Sequence, residues 1–272
     1  MADKTALVTG CSAGGIGHAL AGMLAAKGYH VFATVRAAAK AGDLAKTDNV
    51  TVLEVDVRED ASVKAALAAA GNVDVLVNNA GFEVWGPIEE MTVDDFRDQF
   101  ETNVYGPVRL ITSLLPGMRN RGAGVIVNVS SVAGRVGAPL NGVYAASKYA
   151  LEAISETINY ECKHFGIRVH LIEPGLVATP FRGNRRLVGA AAGKESPYAD
   201  LVAQWEAVTG RLVPGGRSTP GDVAEVIVDA IENGDKLRYP ATPDATMIFT
   251  ARKAMDDEQF EAAMRQQLGL TW

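Results

Sequence analysis

The sequence predicts an α/β protein, a doubly wound parallel sheet with helices on both faces. Three observations carry this reading. Short β-rich runs alternate with helical runs as far as Pro174-Gly175. Those β-rich runs are almost continuously apolar, the pattern of strands buried on both faces. A glycine-rich turn joins the first of them to the first helix. Such alternation closes into one open sheet through right-handed crossovers.

Each element follows from local residues. Residues 5–9 read as the first strand. A helical pattern over 16–28 ends at Gly28, a residue suited to a helix C-cap. The second strand is 30–35 and the third 50–55. A helix over 60–70 is closed by Gly71. The fourth strand, 73–77, runs into Asn78-Asn79-Ala80-Gly81. A long helix starts near Thr92, where Asp95 three residues on fits a capping pattern, and continues to about Leu115. Strand 124–129, helix 143–165 and strand 167–172 follow.

After Pro174-Gly175 the alternation breaks. Residues 176–219 are irregular apart from a helical stretch near 198–210. A helix over 221–232, a short strand at Leu237-Arg238-Tyr239 and a C-terminal helix over 245–266 complete the chain. No low-complexity linker and no internal repeat divides it. The expectation is one domain over 1–272, with 176–219 as a lid over the site. Long segments in compact domains often serve that way.

Composition narrows the function. The 272 residues are 48% apolar and 21% charged, and the net charge of −6 argues against a general nucleic-acid binder. Arg182, Arg185 and Arg186 form the densest basic cluster, too small for a phosphate-backbone track. Cys11 and Cys162 have no metal-ligand spacing, and His18, His30, His164 and His170 form no cluster, so no metal is expected. No apolar run approaches the ~20 residues that span a bilayer. No targeting segment precedes the first strand, so a cytoplasmic location is the expectation.

The turn Thr9-Gly10-Cys11-Ser12-Ala13-Gly14-Gly15-Ile16-Gly17 follows a strand and opens a helix. In that context its glycines let the backbone approach an anion, and the helix N-terminus supplies N–H donors. The second strand should end with the group that reads an adenosine ribose. A carboxylate there would suit the 2′-hydroxyl of NAD. Here the strand ends Thr34-Val35-Arg36, and a guanidinium suits a 2′-phosphate. Both the missing acid and the present base point to NADP(H).

A second constellation carries proton chemistry. Tyr144 and Lys148 stand four apart in an alanine-rich helical run, so phenol and ammonium share a face. A free tyrosine has a pKa of about 10, and a nearby cation favours the phenolate. Such a pair can give and take a proton near neutral pH. Ser131 follows strand 124–129, where its hydroxyl could meet the phenol over a substrate oxygen.

Together these residues resemble the short-chain dehydrogenase/reductase family over most of the chain. The matching motifs are the glycine turn, Asn78-Asn79-Ala80-Gly81, Asn103, Ser131, Tyr144 with Lys148, and Pro174-Gly175. The resemblance implies a single-domain Rossmann-like fold and a set of roles. Tyr144 would be the general acid or base, Lys148 would bind the nicotinamide ribose, and Ser131 would hold the substrate oxygen. Asn103 would keep a water in a proton relay. Gly10, Ser12, Gly15, Ile16, Gly17, Arg36, Asp56, Val57, Asn79, Ala80, Gly81, Pro174, Gly175, Val177 and Thr179 would contact the cofactor. One departure stands out: Gly14-Gly15 adds a residue to the family's usual glycine spacing.

The segment 171–181, from Leu171 through Glu173-Pro174-Gly175 to Phe181, with Lys148-Tyr149-Ala150-Leu151-Glu152 and Leu237-Arg238-Tyr239-Pro240, resembles the branch of 17β-hydroxysteroid, retinol and acyl-dihydroxyacetone-phosphate reductases. That implies a fairly apolar ketone, aldehyde or alcohol as substrate. Phe82, Trp85, Leu140, Phe181, Tyr198 and Trp205 are candidate pocket residues, with Trp85, Leu140 and Phe181 chosen first. Family members often form homodimers or homotetramers, so the resemblance implies one of these. A catalytically silent NADP(H)-binding sensor or scaffold is the alternative reading, and the intact Ser–Tyr–Lys set argues against it.

Overall fold

The computed structural model describes residues 4–209 and 217–270. The first half alternates as expected: β1 (Thr5–Val8), α1 (Ile16–Ala26), β2 (His30–Val35), β3 (Val50–Glu54), α2 (Asp60–Ala70) and β4 (Val75–Asn78). Then come β5 (Val84–Trp85), α3 (Val93–Phe100), α4 (Gly106–Arg121), β6 (Gly124–Val129), α5 (Gly142–Cys162) and β7 (Ile167–Glu173). The remainder contains β8 (Arg186–Leu187), α6 (Ala199–Thr209), α7 (Pro220–Asn233), β9 (Arg238–Pro240), α8 (Pro243–Ala254) and α9 (Asp257–Leu268).

The main sheet has the strand order β3-β2-β1-β4-β6-β7-β9, and every neighbouring pair is parallel. Alternate side chains divide the interior in two. Val8, Ala33, Val77 and Val127 face α1 and α7, whereas Leu7, Phe32, Leu76 and Ile126 face the layer of α2, α4 and α5. Both faces are therefore covered, which explains the unbroken apolar strands. The winding reverses between β1 and β4. A crevice at the C-terminal ends of those strands is where an open α/β sheet takes its ligand.

Four features differ from the sequence reading. The long helix expected over 92–115 is three pieces. Thr92 caps α3 with the expected Asp95 box, but residues Glu101–Tyr105 form a π-helical turn before α4. The helix then runs on through Pro116 to Arg121. Its buried stripe of Leu110, Ile111, Leu114 and Met118 outweighs the one N–H that proline removes. The C-terminal helix expected over 245–266 is two helices, because Asp256 caps α9 afresh in a box with Gln259. β5 and β8 pair in parallel as a separate two-stranded sheet, too short to leave a pattern in the sequence. Of the expected lid, residues 210–216 lie outside the described residues.

A buried polar chain ties the two central strands to α5. Asn78 Nδ2 donates to Asn128 Oδ1 (2.8 Å), Asn128 Nδ2 to Ser155 Oγ (2.8 Å), and Ser155 Oγ to the Leu151 carbonyl (2.6 Å). Asn128 is fully buried. Asn128→Ala leaves the Asn78 donor without its acceptor and Ser155 without its donor. We expect it to lower the unfolding free energy by about 1–3 kcal/mol or more, read from urea denaturation.

Candidate active site

The glycine turn is locked to the end of β4. Thr9 Oγ1 accepts the N–H groups of Asn79 (3.0 Å) and Ala80 (2.9 Å) and donates to the Val77 carbonyl (3.3 Å). Asn79 Nδ2 returns the contact, donating to the carbonyls of Thr9 (2.8 Å) and Gly10 (3.0 Å). This crossing leaves no room for side chains. A Cβ on Gly10 would meet Ala80 Cα at 2.8 Å, and one on Gly17 would meet Asn79 Nδ2 at 2.6 Å. Gly10 also sits at φ +72°, which favours glycine.

The extra glycine now has a place. Gly14 takes the left-handed φ of +76°, and Gly15 is the extended N-cap residue of α1. No side chain caps α1 and no acid lies in its first turn, so its N–H groups are open to an anion. Ser12 is exposed on the turn. Cys11 points inward instead, donating Sγ–H to the Val8 carbonyl (3.2 Å), and burial pushes its thiol up to about 12. Arg36 stands exposed at the end of β2 and makes no ion pair among the described residues. These features fit a dinucleotide with an added phosphate. Asp56 is already engaged by Arg58 (2.6 Å), whose hydrogen bonds hold its carboxyl below the usual range. Val57 is buried against Gly106, where an added Cβ would stand 2.8 Å from Val57 Cγ2.

Ser131, Tyr144 and Lys148 come together beyond the ends of β6 and β7. Ser131 begins a short turn in which its Oγ accepts the Ala133 N–H (3.2 Å). The same hydroxyl donates to the Pro174 carbonyl at only 3.4 Å, so its proton is loosely held. Tyr144 lies on the first turn of α5 with Phe181 against its ring (centroids 5.9 Å apart). Lys148 Nζ donates to the Val129 carbonyl (2.7 Å) and lies 5.7 Å from the centre of the Tyr144 ring.

The titration of this pair differs from the simple expectation. Burial drives the Tyr144 phenol above its ordinary value, and the charge of Glu83 adds to the push, against a smaller pull from the Ser131 hydroxyl. A lowered phenol was expected beside Lys148. Full burial prevails because desolvation penalises the phenolate. The same desolvation lowers Lys148 to about 8, opposed by the Glu152 carboxylate one turn along.

Asn103 is brought to the site by the π-helical turn, a distortion common at functional positions. Its side chain makes three hydrogen bonds. Oδ1 accepts the Phe82 N–H (3.2 Å), while Nδ2 donates to the Phe82 carbonyl (3.1 Å) and to Ser147 Oγ (3.2 Å). Gln99 holds the same loop. It donates to the Phe82 carbonyl (2.7 Å) and accepts the Val84 N–H (2.7 Å). Gly81 packs tightly here, since an added Cβ would stand 3.2 Å from Asn103 Oδ1.

The second half of the chain closes the cleft. Thr242 and Asp244 at the start of α8 accept the N–H groups of Gly175 (2.9 Å) and Leu176 (2.8 Å). An added Cβ on Gly175 would overlap the Asp244 carboxylate at 2.0 Å. Val177 bridges to Ser218, and Thr179 caps the short turn that carries Phe181. The pocket candidates divide. Phe181 faces Tyr144, but Trp85 and Leu140 are buried in a satellite core with Ala190 and Val202. Leu140 holds an unusual φ of +65° there, its carbonyl accepting the Gly86 N–H (2.9 Å). Gln99, Glu83, Thr242 and Asp244 were not foreseen. Only Glu83 left a signal, an acid inside the apolar run Phe82-Glu83-Val84-Trp85.

Sheet order and the glycine turn at its switch point define the class, a Rossmann-like α/β protein. Residues 4–187 match the family described as short chain dehydrogenase, and the chain belongs to that family of oxidoreductases. It is 38% identical over 272 residues to bovine (Bos taurus) retinol dehydrogenase 8, covering 94% of this chain and 86% of the relative. A solved short-chain dehydrogenase from Streptomyces avermitilis superposes with a TM-score of 0.81 at 34% identity, covering 98% of both chains. A second, from Burkholderia cenocepacia in complex with NADP, gives 0.76 at 25% identity, covering 99% of this chain and 98% of the other. Among the described residues, no helix is long and apolar enough to cross a membrane.

Proposed function

We propose that this chain is an NADP(H)-dependent oxidoreductase that interconverts a ketone or aldehyde with an alcohol. The observation that carries the reading is the meeting of Ser131, Tyr144 and Lys148 beside the glycine turn. The NADP complex of the Burkholderia cenocepacia relative supports it from outside the chain. Gly10, Gly15, Ile16 and Gly17 would hold the pyrophosphate, Arg36 with Ser12 the added phosphate, and Asp56 and Val57 the adenine side. Asn79, Ala80 and Gly81 would line the middle of the cofactor. Pro174, Gly175, Val177 and Thr179 would border its nicotinamide end.

Bound nicotinamide supplies the hydride. The chain's residues do the rest. Ser131 turns its loosely held proton toward the substrate oxygen. Tyr144, protonated throughout the neutral range, gives its phenolic proton to that oxygen during reduction and takes it back in oxidation. Lys148 spends one proton on the Val129 carbonyl and keeps two for a ribose hydroxyl. The Asn103 amide, tied to Phe82 and Ser147, positions the loop that carries Glu83. Asn103 would also keep the relay water that the resemblance implies, since its Oδ1 accepts only one hydrogen bond among the described residues.

The resemblance to retinol dehydrogenase 8 favours an apolar substrate, and Phe181 against Tyr144 supports an apolar wall at the reacting centre. Phe181 against the Tyr144 ring is the contact that supports reading 176–219 as a lid.

Tyr144→Phe should lower NADPH oxidation with an apolar ketone by about a hundredfold or more while NADPH still binds, read by absorbance and by fluorescence titration. Full turnover in that variant would overturn the mechanism. Lys148 is an ammonium below a pKa of about 8 and loses its proton above it, so ketone reduction should fall as the pH rises past about 8. A rate that stays level well above that value would remove the lysine's charge from the account. Arg36→Asp should weaken NADPH relative to NADH by about tenfold or more, measured as the ratio of kcat/KM values.

A further inference from the structure

Taking Tyr144 as the proton donor of the proposed reaction, we infer that Arg186 is a positioning residue for it: Arg186 fastens β8 to α3 and so holds Phe181 in place as a wall against the Tyr144 ring. Arg182, Arg185 and Arg186 are the densest basic cluster of the chain, and the cofactor reading gives the last two no task. Arg186 makes two ion pairs to one helix. Its Nη2 stands 2.6 Å from Asp95 Oδ1 and its Nη1 2.7 Å from Asp98 Oδ2, both on α3. Residues three apart are neighbours on a helix surface, so one planar guanidinium can reach both carboxylates.

The acceptor is already fixed. Asp95 Oδ2 accepts the N–H (2.7 Å) and the hydroxyl (2.8 Å) of Thr92 in the capping box, and Oδ1 takes the guanidinium. The Asp95 side chain is 14% exposed, so this half of the fork is shielded. A pair between two mobile surface side chains contributes little, but a carboxylate held by its own helix has less order to lose. The backbone is fastened in the same place. The Arg186 N–H donates to the Glu83 carbonyl (2.8 Å) and the Val188 N–H to the Trp85 carbonyl (3.0 Å). Gln99, fully buried on the same α3, takes the Val84 N–H (2.7 Å). Arg185 adds a stacking contact, its guanidinium 4.2 Å from the centre of the Trp85 ring. Helix α3 thus grips both strands of the small sheet, β5 through Gln99 and β8 through Arg186.

Phe181 stands five residues before Arg186, in the short turn Pro180–Asn184. Thr179 caps that turn, and Val177 just before it bridges to Ser218. The turn therefore hangs between two fixed points, the stretch after Pro174-Gly175 on one side and Arg186 on the other. Phe181 packs on the cluster of Ala133, Tyr144 and Ala145, with its ring centre 5.9 Å from that of Tyr144. A side chain pinned from both ends gives the reacting centre a boundary of fixed shape, as a site on a rigid support requires. Releasing the Arg186 end would let the turn move while the main sheet and α5 keep their places.

The test is carbon NMR of protein labelled at the tyrosine Cζ, which reports the surroundings of each phenol. The chain has seven tyrosines, and the signal missing from Tyr144→Phe is that of Tyr144. Phe181→Ala gives the reference position for this phenol without its wall. Arg186→Met should move the Tyr144 signal toward that reference, while the signals of Tyr29 and Tyr239, elsewhere in the fold, stay in place. Arg186→Lys, which keeps a cation between the two carboxylates, should bring the Tyr144 signal back toward its wild-type position. In hydrogen exchange, the amides of 181–186 should exchange about fivefold or more faster in Arg186→Met, with those of β6 unchanged. A Tyr144 signal that ignores Arg186→Met or Phe181→Ala would overturn the proposal. So would a shift shared by Tyr29 and Tyr239, which would mean general loosening, or an Arg186→Lys protein that behaves like Arg186→Met. These measurements need neither cofactor nor turnover, so failure of the oxidoreductase reading would show separately, as full activity of Tyr144→Phe.

Discussion

The crossing of β1 and β4 at Thr9 is the constraint on which the rest of the site depends. One hydroxyl accepts two N–H groups from the Asn79-Ala80 turn, and one amide returns two bonds to the glycine turn. The two loops that flank the switch point therefore cannot move apart. The glycines are consequences of this crossing. Gly10 and Gly17 are glycine because Ala80 and the Asn79 amide already fill the space a Cβ would take. From Ala80 the chain passes to Gly81 and Phe82, and the Asn103 and Gln99 amides carry the constraint into the helical layer. Asn103 also reaches Ser147, whose hydroxyl donates to the Tyr144 carbonyl (2.7 Å). The glycine turn and the first turn of α5 are thus connected by hydrogen bonds through the short covalent stretch Ala80-Gly81-Phe82.

Burial then sets the charge states at the far end of that chain. Tyr144, Lys148 and Glu83 are all withdrawn from water, and each shifts toward its neutral form: the phenol up, the ammonium down, the carboxyl up. Desolvation gives these shifts one common direction. A site in this condition holds a protonated phenol, the form that the proposed reduction would consume. The Lys148 ammonium keeps its charge below about 8 with the Glu152 carboxylate one turn along.

The sheet was legible in the sequence because parallel strands covered on both faces cannot hide their composition. Runs such as Val125-Ile126-Val127 have no other plausible position. The glycine turn, Tyr144 and Lys148 were legible because their spacing is short and local. What was not legible depends on distant partners. The π-helical turn at 101–105 has ordinary helical composition, and it is stabilised by what Asn103 reaches across the cleft. The β5–β8 pair joins residues about a hundred positions apart and needs only two from each side. The rise in the Tyr144 pKa could not be read from i, i+4 spacing either, since spacing reports the nearby cation and not the loss of solvent.

The phrases that suggested a substrate branch have a structural meaning of their own. Leu151-Glu152, Ile172-Glu173 and Leu237-Arg238 lie on α5, β7 and β9, and they converge on one cluster. Arg238 Nε stands 2.9 Å from Glu152 and 3.9 Å from Glu173, and its Nη2 pairs with Glu156 (3.1 Å). Arg135 reaches Glu173 from the other side (3.3 Å). These contacts fasten the last strand of the sheet to the helix that carries Tyr144, and they hold β7 just before the Pro174-Gly175 turn. They do not line the cleft around the reacting oxygen. In this chain those phrases brace the helix that carries Tyr144 and Lys148.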